Sequence, residues 1–235
     1  MYYIYYKIFR KLSLKVKLYI SGVQIIMTVQ EYLKNPCGLL SIPYWKAQKI
    51  TIPENMIIVH DKDFLVDILQ KYTDTEYFRL KHSLKFIGKT VLRPEFYLAS
   101  IKETQFSLLV ELINSSYTHL GIKVDIDQIK EWTNSEVYAP DLWTAIFKED
   151  IMIGAIVVDY DEITKEAIIE WMQVLPEYRR LGLASALINN SLERLSGIAD
   201  LVTVSGMMHN KMNPEILYRK CGFTGDDLWH ILIKK

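Results

Sequence analysis

The sequence predicts an α/β fold in which helices flank a mixed, mostly antiparallel central sheet. Three apolar strands, at residues 142–148, 151–160 and 166–174, are joined by short polar turns, so they are expected to be antiparallel neighbours. The third strand leads through a proline-led loop and a helix at 183–195 to another strand at 200–205. Such a connection is usually right-handed and makes its two strands parallel, which gives the sheet its mixed character.

The other elements of this region follow from apolar spacing. A strand at 96–101 precedes a helix at 104–120, whose apolar residues recur at helical intervals. A weaker helix covers about 125–136. After the strand at 200–205, the pattern predicts a helix at 214–220 and a last strand at 228–233.

Residues 28–95 are turn-rich and predict a small α+β extension. Three X-Pro dipeptides interrupt short apolar segments, and the residue before proline avoids the helical region. Residues 56–59 are typical of a strand. The spacing that follows predicts a helix over about 62–72, capped by Asp61 or Asp63.

Composition places the chain among ordinary globular proteins. Of its 235 residues, 50% are apolar and 24% charged, which argues against disorder and coiled coil. The 28 basic residues balance the 28 acidic residues, so no strong field for nucleic acid is expected. Two cysteines, Cys37 and Cys221, cannot build a disulfide framework, which favours a reducing, cytoplasmic compartment.

The first residues form a basic leader with no acidic side chain. Residues 1–26 carry a net charge of +5 and the remainder −5. Two interpretations stay open: a mis-called start upstream of Met27, which is favoured, or a basic amphipathic helix on a membrane surface. The expected domains are the leader at 1–27, the extension at 28–95 and a main domain at 96–235.

The loop after the strand at 166–174 contains the most informative motif. Arg179, Gly182 and Ala184 form the pattern Arg-x-x-Gly-x-Ala between a strand and a helix. The free N–H groups of a first helical turn converge on one point, and the helix dipole adds positive charge there. The motif therefore predicts a phosphate or pyrophosphate site. A plain turn glycine with solvated arginines is the alternative, whereas the nucleoside-triphosphate and dinucleotide fingerprints are absent from the sequence.

A second motif, Leu-Tyr-Arg-Lys-x-Gly-Phe, occupies residues 217–223. With the first motif in this order, residues 96–235 resemble the GNAT superfamily of acetyl-coenzyme-A-dependent N-acetyltransferases. The resemblance implies the family's mixed sheet, acetyl-CoA as co-substrate, no metal, and direct attack of a primary amine in a ternary complex. The weaker resemblance of residues 28–95 is to the N-terminal extensions of some bacterial members.

The resemblance also implies a binding site for the acetyl-CoA. The strands at 166–174 and 200–205 would splay apart around the pantetheine arm, and backbone groups of Gln173 and Val174 would pair with it. A nearby N–H would polarise the thioester carbonyl. The pyrophosphate would be held by the loop and the start of the helix, through Arg179, Arg180, Leu181, Gly182, Leu183, Ala184 and Ser185.

The implied catalytic residues are Tyr218 and Glu170. Tyr218 matches the tyrosine that protonates the leaving thiolate in many members, although packing on Phe223 is an alternative. An acceptor amine must lose a proton, so a base is expected. Glu170, a carboxylate in a mostly apolar strand, is the candidate, and His209 is a second one; either could instead be an exposed polar residue.

Asn213 departs from the family pattern. Many relatives carry an asparagine seven residues before the tyrosine, where this chain has Lys211. Asn213 is therefore a candidate for the pantetheine contact or, alternatively, a helix N-cap followed by Pro214 at the first helical position.

Cys221 is interpreted as a packing residue, and metal-ligand spacing is absent from the sequence.

These observations favour an acetyltransferase whose acceptor is a small-molecule or peptide amine, with neither nucleic acid nor membrane as a partner. A non-catalytic module that senses acyl-CoA or binds a protein on the same fold is the alternative. The sequence contains no motif that names the acceptor.

Overall fold

The computed structural model describes residues 18–20, 23–25 and 27–235. All five positive charges of the predicted leader lie outside these residues, so neither interpretation of it is tested. Within the described part of the chain, no helix has the length and apolar character needed to cross a bilayer.

Ten strands and six helices can be given bounds in the described residues. The strands are β1 (Leu18–Ile20), β2 (Val23–Ile25), β3 (Met56–His60), β4 (Tyr72–His82), β5 (Tyr97–Ser100), β6 (Thr144–Lys148), β7 (Ile151–Asp161), β8 (Glu166–Val174), β9 (Leu201–Met207) and β10 (Thr224–Lys234). The helices are α1 (Val29–Lys34), α2 (Tyr44–Ala47), α3 (Phe106–Ser116), α4 (Ile126–Thr133), α5 (Leu183–Leu195) and α6 (Pro214–Lys220).

The chain divides into two compact units. Unit one contains the described residues up to His82 together with Thr203–Arg219 and Phe223–Lys235, and unit two contains Ser83–Val202 and Lys220–Gly222. Because β10 pairs with β3 and β4, the last strand of the chain joins the strands of the N-terminal extension. The three predicted domain ranges stay a prediction.

Unit one is built on strands in the order β3-β10-β4-β9, with β10 antiparallel to both of its neighbours. Its apolar core combines the N-terminal helices with these strands and contains Tyr32, Leu40, Ile42, Ala47, Met56, Ile58, Tyr77, Trp229 and Ile231. Strands β1 and β2 form a separate antiparallel pair.

Unit two contains four antiparallel strands in the order β8-β7-β6-β5. Helix α4, within the range 125–136 predicted for a helix, begins at a capping box formed by Asp125 and Gln128. Helix α5 packs closely over β7, because a Cβ at Gly154 would lie 3.4 Å from Leu187 Cδ1. The predicted α/β class with a mostly antiparallel sheet and flanking helices is confirmed. The parallel step predicted after the 175–182 loop stays a prediction.

The helix predicted over 62–72 is wrong. Residues 61–63 and 66–70 form short 3-10 turns, and β4 then begins at Tyr72. The Phe64 ring does not join a helical face but stacks on His230 of β10, with ring centroids 3.8 Å apart and planes 7° from parallel. Contact with a strand that lies far along the chain therefore overrides the local helical spacing.

Candidate active site

Strand β8 contains a bulge at Glu170, the predicted base. Val157 of β7 faces Trp171, and the next residue, Val158, faces Ile169, so Glu170 is the extra residue on β8. Its side chain is half-buried, whereas both of its neighbours on the strand are buried. A bulge bends its strand and re-aims side chains, and bulges are common next to active sites.

Gln173 and Val174 end β8 as the sequence predicts. The Gln173 side chain is 3% exposed, and neither its Nε2 nor its Oε1 has a hydrogen-bond partner among the described residues. A buried amide without partners is costly, so a ligand or a water molecule that hydrogen-bonds to it would be favoured here.

The Arg179 side chain is hydrogen-bonded to the backbone at the end of β8. Its Nε donates to the Val174 carbonyl oxygen at 3.0 Å. The hydroxyl of Tyr117, after α3, donates to the Met172 carbonyl oxygen at 2.9 Å. Burial raises the pKa of Tyr117 to about 12, although the hydrogen bond to Met172 and the positive charge of Arg179 oppose the rise. Arg180 is exposed to solvent, whereas Arg179 is half-buried. The backbone of Arg180 is left-handed, with a φ of 64°.

The start of α5 offers unused hydrogen-bond donors. Gly182 is its N-cap, with a left-handed φ of 82°, and its carbonyl oxygen accepts the first helical bond from Ala186 at 3.0 Å. Among the described residues, the N–H groups of Leu183, Ala184 and Ser185 donate to no acceptor. A helix start with free N–H groups binds anions, so these donors fit a pyrophosphate.

We expect Gly182→Val to raise the KM for acetyl-CoA by about 10-fold or more and to destabilise the protein by about 1–2 kcal/mol. The left-handed conformation strains a β-branched residue, and the side chain would stand beside the free N–H groups. Gly197, past the other end of α5, is the matched control, because it has a φ of 86° and, like Gly182, open space around a Cβ. Gly197→Val should cost similar stability and leave that KM unchanged. Equal KM values for both variants would contradict the predicted role of the loop.

Tyr218 lies in α6 and is 6% exposed. Its ring packs against Phe223 at 5.5 Å in an edge arrangement and against Phe78 at 6.2 Å. The N–H of Phe223 also donates to the Tyr218 carbonyl oxygen at 3.1 Å. These contacts hold the ring in one orientation, which serves packing and would equally serve a fixed proton donor.

Asn213 directly precedes Pro214, the first residue of α6. Its N–H donates to the Asn210 carbonyl oxygen at 2.8 Å, and its own carbonyl oxygen accepts from Ile216 at 3.2 Å. Its φ is 46°, whereas an N-cap residue is normally extended. The expected N-cap geometry is therefore not found, and Asn213 occupies the left-handed region that asparagine tolerates.

His209 and Cys221 differ sharply in exposure. The Nε2 of His209 lies 3.0 Å from Glu76 Oε2, and the imidazole is 84% exposed. The Cys221 thiol is buried, and burial raises its pKa, with a hydrogen bond from Ser185 acting in the opposite direction. A raised thiol pKa opposes nucleophilic reactivity, in agreement with the packing interpretation.

The predicted site residues fall into two groups. Glu170, Gln173, Val174 and residues 179–185 lie on one continuous strand, loop and helix in unit two, whereas His209, Asn213 and Tyr218 belong to unit one. Tyr117 also contributes to this region, although it was not predicted as a site residue. It follows α3, and only the fold brings its hydroxyl to the backbone of β8.

The end of β8, the loop and the start of α5 together place three free N–H groups at one end of a helix in an α/β fold. Residues 140–225 match the family model described as "Acetyltransferase (GNAT) domain". This match covers less than half of the chain and confirms the resemblance seen in the sequence over residues 140–225.

Solved structures agree with this fold. A GCN5-related N-acetyltransferase from Sphaerobacter thermophilus has a TM-score of 0.62 and 14% identity over 77% of this chain and 61% of its own. A functionally unknown conserved protein from Staphylococcus epidermidis has a TM-score of 0.57 and 10% identity over 77% and 73%. A putative GNAT-family acetyltransferase from Novosphingobium aromaticivorans has a TM-score of 0.52 and 12% identity over 79% and 70%. No curated protein matches the sequence.

Proposed function

We propose that this protein transfers the acetyl group of acetyl-CoA to a primary amine by direct attack in a ternary complex. The observation that carries the proposal is the start of α5, where three successive N–H groups have no acceptor among the described residues and follow a left-handed glycine. This donor set suits a pyrophosphate, and the family-model match at 140–225 supports coenzyme A as its source.

The loop contributes binding rather than chemistry. Leu183, Ala184 and Ser185 would donate backbone hydrogen bonds to the pyrophosphate, and the helix dipole would add to them. Arg180 is exposed and is the better candidate for a side-chain contact with phosphate. Arg179 would act by holding the loop against Val174, whose carbonyl oxygen its Nε contacts at 3.0 Å. Leu181 and Gly182 complete the turn.

The end of β8 would hold the pantetheine arm through the backbone of Gln173 and Val174. The buried, unpartnered amide of Gln173 supports a polar ligand near this strand end. Asn213 remains the proposed further contact, although its left-handed backbone departs from the family pattern.

The proposed chemistry is a proton-coupled acyl transfer. The coenzyme supplies the acetyl thioester. The amine nitrogen forms a bond to the acetyl carbon as the bond from that carbon to sulfur breaks. Glu170, on the bulge of β8, is proposed to accept the proton that the amine loses, directly or through water. Tyr218 is proposed to give its phenolic proton to the departing sulfur.

The cellular setting is part of the proposal. Both cysteines are free thiols and buried, which supports a reducing compartment such as the cytoplasm. The net charge of zero offers no general attraction to nucleic acid or to an anionic membrane. The proposed acceptor is a small-molecule or peptide amine.

A thiol-release assay tests the proposal. Full-length protein is mixed with acetyl-CoA and with representatives of small amines, polyamines, aminoglycosides and peptide N-termini. We expect amine-dependent release of free coenzyme A with at least one class. Thermal stabilisation by acetyl-CoA without thiol release on any amine would overturn catalysis and support the non-catalytic acyl-CoA-sensing module instead.

A further inference from the structure

We infer that the side-chain amide of Gln173 recognises the acceptor, and that the acceptor is an α-amino amide, in which a neutral amide group stands beside the amine. The inference rests on the proposed acetyl transfer and names the class of amine that the same site takes. All the residues that carry it lie within unit two.

The Gln173 side chain lies on the face of the sheet opposite α5. Gly154 is on the α5 face, because a Cβ built there would lie 3.4 Å from Leu187 Cδ1. Ala155, the next residue of β7, is therefore on the other face, and Gln173 faces it directly in the antiparallel register. Since the pyrophosphate is proposed to bind at α5, the opposite face is left for the second substrate.

Aromatic rings from β8 and from the region of α3 and α4 surround this position. Trp171 lies two residues before Gln173 and therefore on the same face. Its ring packs against Tyr117 with centroids 5.5 Å apart, and it stacks on Trp132 of α4 at 5.4 Å with planes 19° from parallel. Gln173 is 3% exposed among these apolar groups, and a hydrogen bond to its amide would be stronger there than in water.

Among the described residues, no hydrogen-bonding group satisfies this amide. The residues in line with Gln173 on β7, β6 and β5 are Ala155, Ala145 and Ala99. Helix α3 packs on β7 and β8, and the Oγ of its buried Ser116 likewise makes no hydrogen bond with the described residues. Gln173 and Ser116 therefore do not satisfy each other, and a bound polar group would be favoured on this face.

The chemistry of the Gln173 amide selects the group that it would bind. Its Nε2 carries two N–H donors and its Oε1 two lone pairs, side by side in one plane. A neutral amide has the same arrangement and can pair with both atoms at once. A hydrocarbon would leave both atoms unpaired, and a carboxylate would place negative charge against Oε1. Because the backbone of Gln173 is also proposed to hold the pantetheine arm, the acceptor's amide must lie close to its attacking amine.

Calorimetry of the full chain saturated with coenzyme A, which has no acetyl group to transfer, measures acceptor binding without turnover. L-Alaninamide is compared with 3-methyl-2-butylamine, in which an isopropyl group replaces the amide, and with L-alanine, in which a carboxylate replaces it. We expect L-alaninamide to bind about 10-fold or more tightly than either. Equal binding of the three compounds, or no binding of L-alaninamide, would overturn the inference.

Thiol release from acetyl-CoA with the same amines separates this inference from the proposed function. If 3-methyl-2-butylamine were acetylated as efficiently as L-alaninamide, the inference would fail while the proposed acetyl transfer would stand. Selective binding of L-alaninamide without thiol release would overturn the acetyl transfer and support the amide recognition alone.

Gln173→Met removes the amide and nearly preserves the side-chain volume. We expect it to reduce the preference for L-alaninamide about 10-fold, to near equality with 3-methyl-2-butylamine. Coenzyme A affinity is measured on the same variant. A loss confined to that affinity, with the preference retained, would assign the amide to the pantetheine arm and overturn the inference. Circular dichroism checks folding, and the comparison of amines on the wild type decides the question if Gln173→Met does not fold.

Thr144→Val is the matched control. Thr144 Oγ1 is also buried without a hydrogen-bond partner among the described residues. Thr144 directly precedes Ala145, however, so its side chain lies on the α5 face of the sheet. Thr144→Val should keep the full preference for L-alaninamide. Equal losses of preference in Thr144→Val and Gln173→Met would show a general disturbance of unit two and contradict recognition by Gln173.

Discussion

Tyr218→Phe is expected to lower kcat about 100-fold or more while leaving the affinity for acetyl-CoA unchanged. A positioned acid typically contributes about 10²–10⁴-fold to the rate, and this change removes only the hydroxyl. The phenylalanine ring would keep the contacts of Tyr218 with Phe78 and Phe223, so the fold should be preserved. Steady-state kinetics, with acetyl-CoA affinity measured separately by calorimetry, gives both quantities.

Tyr77→Phe provides the control for this loss. Tyr77 lies in the core of unit one, and burial raises the pKa of its phenol to about 12. Removing its hydroxyl should leave kcat unchanged. An unchanged kcat in Tyr218→Phe would remove Tyr218 from the mechanism and leave it the packing role that its ring contacts already describe. Equal losses in both variants would point to a disturbance of unit one rather than to lost proton donation.

The parts of the fold that the sequence predicts well depend on local signals. The polar turns between β6, β7 and β8 lie within a few residues of the strands that they join, and α5 has an apolar stripe at helical spacing. The loop before α5 is equally local. Its glycine has the left-handed backbone that its place between a strand and a helix suggests.

The parts that the sequence does not predict depend on distant partners. Phe64 has helical spacing to its neighbours, yet it stacks on a histidine of β10. Arg179 belongs to a motif associated with phosphate, but its Nε is bound to the strand end. His230 of β10 pairs with Asp74 of β4, with Nδ1 2.7 Å from Oδ2, although the two residues are 156 positions apart in the sequence. No spacing rule within a single segment can detect such a pair.

Arg79→Met is expected to destabilise the protein by about 3 kcal/mol or more. Arg79 is 1% exposed, and its guanidinium donates to the Pro36 carbonyl oxygen at 3.3 Å, to the Tyr32 hydroxyl at 3.0 Å and to Ser205 Oγ at 3.2 Å. Weaker contacts at 3.5 Å reach the Ser41 carbonyl oxygen and Thr203 Oγ1. Methionine would fill the space but leave these buried acceptors without donors, and each loss costs about 1–3 kcal/mol.

Urea unfolding of the full chain, followed by circular dichroism, measures this effect against Arg219→Met. Arg219 pairs with Glu215 at 2.8 Å, but its side chain is 40% exposed, so its loss should cost only about 0.2–1 kcal/mol. Arg79→Lys should recover little of the stability, because an ammonium group cannot reproduce the planar fork of donors. If Arg79→Met proved no more costly than Arg219→Met, the contacts of Arg79 would not be what stabilises unit one, and its apolar core would have to account for that stability alone.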